Sequence, residues 1–177
     1  NDRVKEALDN KMADLKPKEK VKETMDEFDL NRFLEKQDKI FNEDVSTEIT
    51  FYLKALNEIN SAQKRSHWMW YIFPQWYGLG SSIDSMKYAI KSREEAMAYY
   101  KHPILGTRLK EITKEFLKID NKSAKDILGT PDFLKLKSCM TLFHLIQKET
   151  DVFNLVLEKF YNRNFCERTQ QNLEKYF

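Results

Sequence analysis

Lys64-Arg65-Ser66-His67-Trp68-Met69-Trp70 runs straight into Tyr71-Ile72-Phe73-Pro74-Gln75-Trp76-Tyr77, and this stretch holds the densest chemistry in the chain. All three tryptophans and one of the three histidines lie in it. Indole faces stack on flat rings, ammonium and guanidinium groups hold anions, and an imidazole exchanges protons near neutral pH. Together they suit a pocket for a small anionic ligand carrying a ring, such as a nucleotide. Lys64, Arg65 and Ser66 stand at or before a helix start, where unpaired N–H groups favour an anion. Trp68 and Trp70 would be its stacking walls, Gln75 would face the same ligand, and His67 would be the acid–base group.

A second run, Asp132-Phe133-Leu134-Lys135-Leu136-Lys137-Ser138-Cys139-Met140-Thr141-Leu142-Phe143, carries polar groups inside an apolar helix. Lys137, Thr141 and His144 share one stripe, and Leu134 and Ser138 another. Lys135 reads as solvated. Lys137, Ser138 and Thr141 sit among residues that must bury, so they need partners in the protein or in a ligand. Ser66 and His67 diverge on a helix, so a serine nucleophile would come from Ser138, with Asp132 the nearest candidate for a third member. His102, at a helix entry, could approach the same pocket. The ordinary alternative is that the indoles are core anchors, His67 a hydrogen-bonded structural group, and His102 a turn residue.

No cofactor motif is present. Scattered histidines and two distant cysteines lack metal-ligand spacing. Gly78 and Gly80 lack the pattern and preceding strand of a phosphate loop. The formal net charge of +2 disfavours duplex nucleic acid, which is held by neutralising many phosphates. No apolar run approaches the ~20 residues of a membrane span, and no signal-peptide pattern opens the chain. Two cysteines do not make a disulfide framework, so the reading is a reducing, cytoplasmic compartment.

The elements that must position these groups are helical. Only 4 glycines and 4 prolines interrupt 177 residues, and apolar positions recur at three and four. Residues 1–27 alternate in charge and read as a helical arm or linker; residues 28–177 read as one compact all-α domain of roughly eight helices. Ser46 is expected to cap a helix carrying Ile49, Tyr52, Leu53, Leu56 and Ile59. Ser92-Arg93-Glu94-Glu95 reads as a capping box, and Ser123 as the cap of a short turn ended by Gly129. Thr130-Pro131 opens a helix to about Gln147, Thr150 caps the next, and a last helix falls near 167–176.

Phe28-Asp29-Leu30-Asn31-Arg32-Phe33, the 64–70 run with Phe73-Pro74-Gln75, His102-Pro103-Ile104-Leu105-Gly106 and the 135–143 run together resemble the domain of unknown function 1810. The resemblance spans about residues 28–165. It implies a single all-helical domain with no assignable activity. Some members carry a calpastatin label, but an inhibitor of that kind is a disordered repetitive chain, and this one is built to fold. The family has basic or small residues where Trp76 and Tyr77 stand, commonly serine at Cys139, and alanine at His144. Those four stay outside the candidate site.

The leading expectation is a pocket for a nucleotide or an ADP-ribose-type group, walled by the two runs. If chemistry occurs there, it is hydrolysis or transfer rather than redox. Single-stranded nucleic-acid binding on exposed Trp68 and Trp70 is one alternative. A protein-interaction module docking the arm is another.

Overall fold

Short polar residues write half of the helix starts among the described residues. The side chains of Thr50, Ser82, Ser92, Ser123 and Asp151 each accept a first-turn N–H, satisfying a donor that has no partner within the helix. The computed structural model describes residues 27–41, 49–147 and 151–175. Ten helices occur among them: α1 Asn31–Asp38, α2 Phe51–Asn60, α3 Met69–Ile72, α4 Ile83–Lys87, α5 Arg93–Lys101, α6 Leu105–Leu117, α7 Ala124–Leu128, α8 Asp132–Ile146, α9 Val152–Tyr161 and α10 Glu167–Lys175. The domain is all-α and multi-helical, with somewhat more and shorter helices than the apolar periodicity suggests. The expected arm at 1–27 lies outside the described residues, apart from Glu27.

Several local expectations change. Ile49 is not helical: it pairs with Phe41, and Thr50 with Ile40, in a two-residue antiparallel ladder of β1 Ile40–Phe41 and β2 Ile49–Thr50. The β-branched pair Ile49-Thr50 suits extended backbone, and Thr50 then caps α2. Ser46 and Thr150 lie outside the described residues; the observed cap of α9 is Asp151. The Ser92 box is half formed. Ser92 accepts the Glu95 N–H, but the Glu95 carboxylate takes the Lys91 N–H and the Arg32 guanidinium instead of the Ser92 N–H. Around Ser123 the reciprocal box is complete, and Gly129 at φ +76° ends α7.

Helix α8 is apolar nearly all round and is the spine of the core, packing against α3, α5, α7, α9 and α10. Phe143 on α8 meets Tyr99 of α5 and Phe153 of α9 at ring-centroid distances of 5.6 and 5.8 Å. Helix α6 runs across α5, α9 and α2. Its first turn reaches the end of α5 so closely that a Cβ on Gly106 would lie 1.9 Å from the Tyr100 carbonyl oxygen; only glycine fits there. The aromatic segment is tied to α1 by Gln37, whose amide donates to the Tyr71 carbonyl at 2.8 Å. No helix among the described residues is long and apolar enough to cross a membrane.

Candidate functional site

The 64–68 run is shaped by an acidic residue that spacing alone does not single out: Glu58, near the end of α2. Its buried carboxylate accepts from the backbone N–H groups of Arg65 and Ser66 at 2.8 and 3.1 Å, from the Ser66 hydroxyl at 2.5 Å and from the Trp68 indole at 2.7 Å. Burial alone would raise the Glu58 carboxyl; these four hydrogen bonds outweigh it and hold it below the ordinary range. Trp68 is thereby locked in the core at 1% exposure. Arg65 and His67 stay on the surface.

One turn later the chain meets α8. The Lys64 ammonium donates to the Ser66 carbonyl at 2.6 Å and pairs with Asp132 at 2.7 Å. Asp132 also pairs with Lys135 at 2.8 Å, and Lys135 sits 3.7 Å from the centre of the Trp70 ring. Burial works against the Asp132 carboxylate, and the hydrogen bonds and charges of Lys135 and Lys64 win, holding it below the usual value. This chain of charges brings the aromatic run and the start of α8 together.

Beyond Trp70 they border one cleft of about 700 Å³. One wall is Trp70, Gln75 and the loop 79–82; a second is α8, with Lys135, Lys137 and Ser138; a third is the entry to α10, residues 164–168. The loop can lie against the indole because residue 80 is glycine: a Cβ there would stand 2.8 Å from the Ser85 Cβ and 3.2 Å from the Trp70 ring. Two polar groups border this space with nothing to bind. Gln75 is 7% exposed, yet its amide nitrogen has no hydrogen-bond partner among the described residues. The Lys137 ammonium makes no ion pair among the described residues. Buried donors without acceptors are uncommon and costly. Arg168 adds a second cation, anchored by a bond to the Gly78 carbonyl at 3.1 Å.

The buried hydroxyls of α8 clip the third wall to the spine. Thr141, wholly buried, donates to the Lys137 carbonyl at 2.8 Å and accepts the Cys166 N–H at 2.9 Å. The Ser138 hydroxyl lies 3.1 Å from the Leu134 carbonyl and 3.2 Å from the Cys166 sulfur. Cys166 directly precedes α10 and takes the place of an N-cap. Burial would raise its thiol, but the Ser138 hydroxyl and the first-turn amides of α10 outweigh that and hold it below the ordinary thiol value. Cys139 is the opposite case, fully buried and pushed well above.

Of the residues singled out in the sequence, Trp70, Gln75, Lys137 and Ser138 border the cleft. Thr141 lies beneath it. Lys64, Arg65, Ser66 and Trp68 belong to the Glu58 and Asp132 networks, and exposed His67 is not among the residues that border the cleft. His102 is 4% exposed; its Nδ1 accepts the Ile104 and Leu105 N–H groups at 3.1 and 3.0 Å, capping α6. Burial, aided by the Arg108 charge, lowers its pKa, which suits an acceptor nitrogen. His144 pairs with Asp151 at 2.9 Å. Sequence reading missed Glu58, Cys166 and Arg168. Glu58 shares a face with Ala55 and Ile59, a faint hint of burial, whereas Cys166 carries no local signal beyond preceding a helix start. Among the described residues no group of three or more His, Cys, Asp or Glu could hold a metal ion.

None of the curated proteins matches this chain. A crystal structure of a conserved hypothetical protein from Mycobacterium tuberculosis is similar to it: 39% identity, 83% of this chain and 97% of that one covered, and a TM-score of 0.76. The family model described as "Protein of unknown function (DUF1810)" matches residues 27–173. With nearly the whole folded region inside that match and a solved relative of the same fold, the chain belongs to this family of unknown function.

Proposed function

We propose that the cleft binds a small anionic ligand carrying a flat ring, of the nucleotide or ADP-ribose type. The observation that carries this reading is that one void is bordered by the Trp70 indole, the unpaired Lys137 ammonium and the unpartnered Gln75 amide. An indole offers a ring-sized face, Lys137 and Arg168 offer charge to phosphates, and the amide offers a directed hydrogen bond. Ser138 is available to orient the ligand. A serine–histidine hydrolysis or transfer would need His67 at this wall, so binding is the reading supported best.

A melting-temperature screen with AMP, ADP, ATP and ADP-ribose tests it, run on the wild-type protein, Trp70→Ala and Lys137→Ala. A ligand at a hundredfold excess over its Kd stabilises by about 2.7 kcal/mol, which raises Tm by roughly 5–10 °C for a domain of this size. The expected result is a rise in the wild type that is lost in both variants. No rise with any nucleotide, or equal rises in all three proteins, would overturn it. Single-stranded nucleic acid fits less well, because a two-indole platform needs both rings open, and Trp68 is 1% exposed.

A further inference from the structure

Cys166 brings a thiol to the cleft, and nothing in the binding reading uses it. Its sulfur stands at the start of the nine-residue helix α10, 3.2 Å from the Ser138 hydroxyl. It is partly exposed, in the cleft that also holds the unpaired Lys137 and Arg168. Gln75, whose buried amide lacks a partner, borders the same space. A group entering there would therefore meet a hydrogen-bond donor, two cations and a thiol together.

We propose that Cys166 is a thiol-modification site for small carboxylate-bearing disulfides, which the cleft cations draw to the sulfur. In this exchange the Cys166 thiolate attacks one sulfur of the incoming disulfide. The S–S bond of that reagent breaks, a new S–S bond joins Cys166 to one half, and the other half leaves as a thiolate. The cysteine is oxidised and the departing half reduced, so no further oxidant is needed. Ser138 has one proton and two neighbours to give it to. It serves the Leu134 carbonyl while Cys166 is a thiol and turns to the sulfur once the thiolate forms. Sulfur at an N-cap also gains from the aligned first-turn amides and the positive helix end. The other charged groups bordering the cleft are Lys137 and Lys135 from α8, the latter paired with Asp132, and Glu167 and Arg168 from α10.

The site shares the cleft with the nucleotide reading but does not depend on it, because the exchange is read on the protein without nucleotide. The folded wild-type chain is treated with dithiobis-nitrobenzoate, an aromatic dicarboxylate disulfide, and in parallel with neutral dithiodipyridine. One thiol per chain should react, mass mapping should place the adduct on Cys166, and Cys139 should react only after denaturation. Lys137→Ala and Arg168→Ala should each slow the dicarboxylate roughly threefold to tenfold at low ionic strength and leave the neutral reagent unchanged. Mapping on wild-type protein needs no variant; Cys166→Ser, which should abolish release, is the second arm. No reaction in the folded state, an adduct on Cys139, or equal slowing of both reagents would each overturn the proposal. If those failures occur while nucleotides still raise Tm, the binding reading stands and the thiol assignment falls. If the exchange behaves as stated and no nucleotide raises Tm, the thiol site stands alone.

Discussion

The same aromatic run passes through two regions that treat polar groups in opposite ways. At 64–68 every donor turned inward has an acceptor: Glu58 takes four hydrogen bonds and Asp132 takes Lys64. At 70–75, a few residues on, the Gln75 amide has none, and across from it Lys137 is unpaired among the described residues. Both regions are basic and aromatic, so composition treats them alike. What separates them is where the partners are. A satisfied network explains itself as structure, whereas a buried amide and a half-buried ammonium left open beside a void support the proposed binding reading.

The largest effect should come from breaking the satisfied side. Glu58→Ala leaves four donors without their acceptor and should cost about 3–4 kcal/mol, seen as a fall in Tm of roughly 10 °C. A loss under about 1 kcal/mol would mean that the loop does not depend on this carboxylate. Next is Lys64→Ala, which leaves Asp132 with Lys135 alone and should cost about 2 kcal/mol in denaturant unfolding. Lys137→Ala, its counterpart on the cleft, should stay within about 0.5 kcal/mol of wild type while losing ligand binding. If the two lysines behave alike, the contrast between the regions is wrong.

Acid should expose the difference again. Glu58 and His102 both have pKa values depressed in the fold, so the unfolded chain binds their protons more readily, and falling pH costs stability. The His102 contribution is whole above its ordinary value of 6.5 and is lost below it, as the cap of α6 protonates. The Glu58 contribution is whole above 4.5 and is lost further down. Chemical denaturation across pH should therefore show two descents, and His102→Asn, a cap that does not titrate, should remove the upper one. A single descent that His102→Asn leaves unchanged would refute that role. The smallest change sharpens the comparison from the other side. Gln75→Leu removes an unpartnered buried amide and should leave stability unchanged or raise it by up to about 1 kcal/mol.

Much of the fold could be read along the chain because helices declare themselves locally. Ser123 with Asp126, Gly129 and the stripe through Phe116 needed no distant information. The errors arose where tertiary partners decided. Ile49 went into a strand because Phe41 was there to pair with it, and Glu95 left its box for Arg32. The candidate site was legible by segment and only partly by residue. Both runs do meet, yet Lys64 and Ser66 serve carboxylates whose nearness no spacing rule reveals, and His102 spends its acceptor on a helix start. Cys166 was invisible because its character comes from Ser138 and from the helix that follows it.

Synthesis order gives the clip between α8 and residue 166 another meaning. Translation delivers Trp70 early and the segment that faces it much later, when residues 164–168 leave the ribosome and Thr141 can catch the Cys166 amide. Until then the nascent polypeptide has its indole but no opposing wall. The cleft is thus completed after most of the helical core can already be assembled, at the moment Thr141 finds the Cys166 N–H and Ser138 its sulfur.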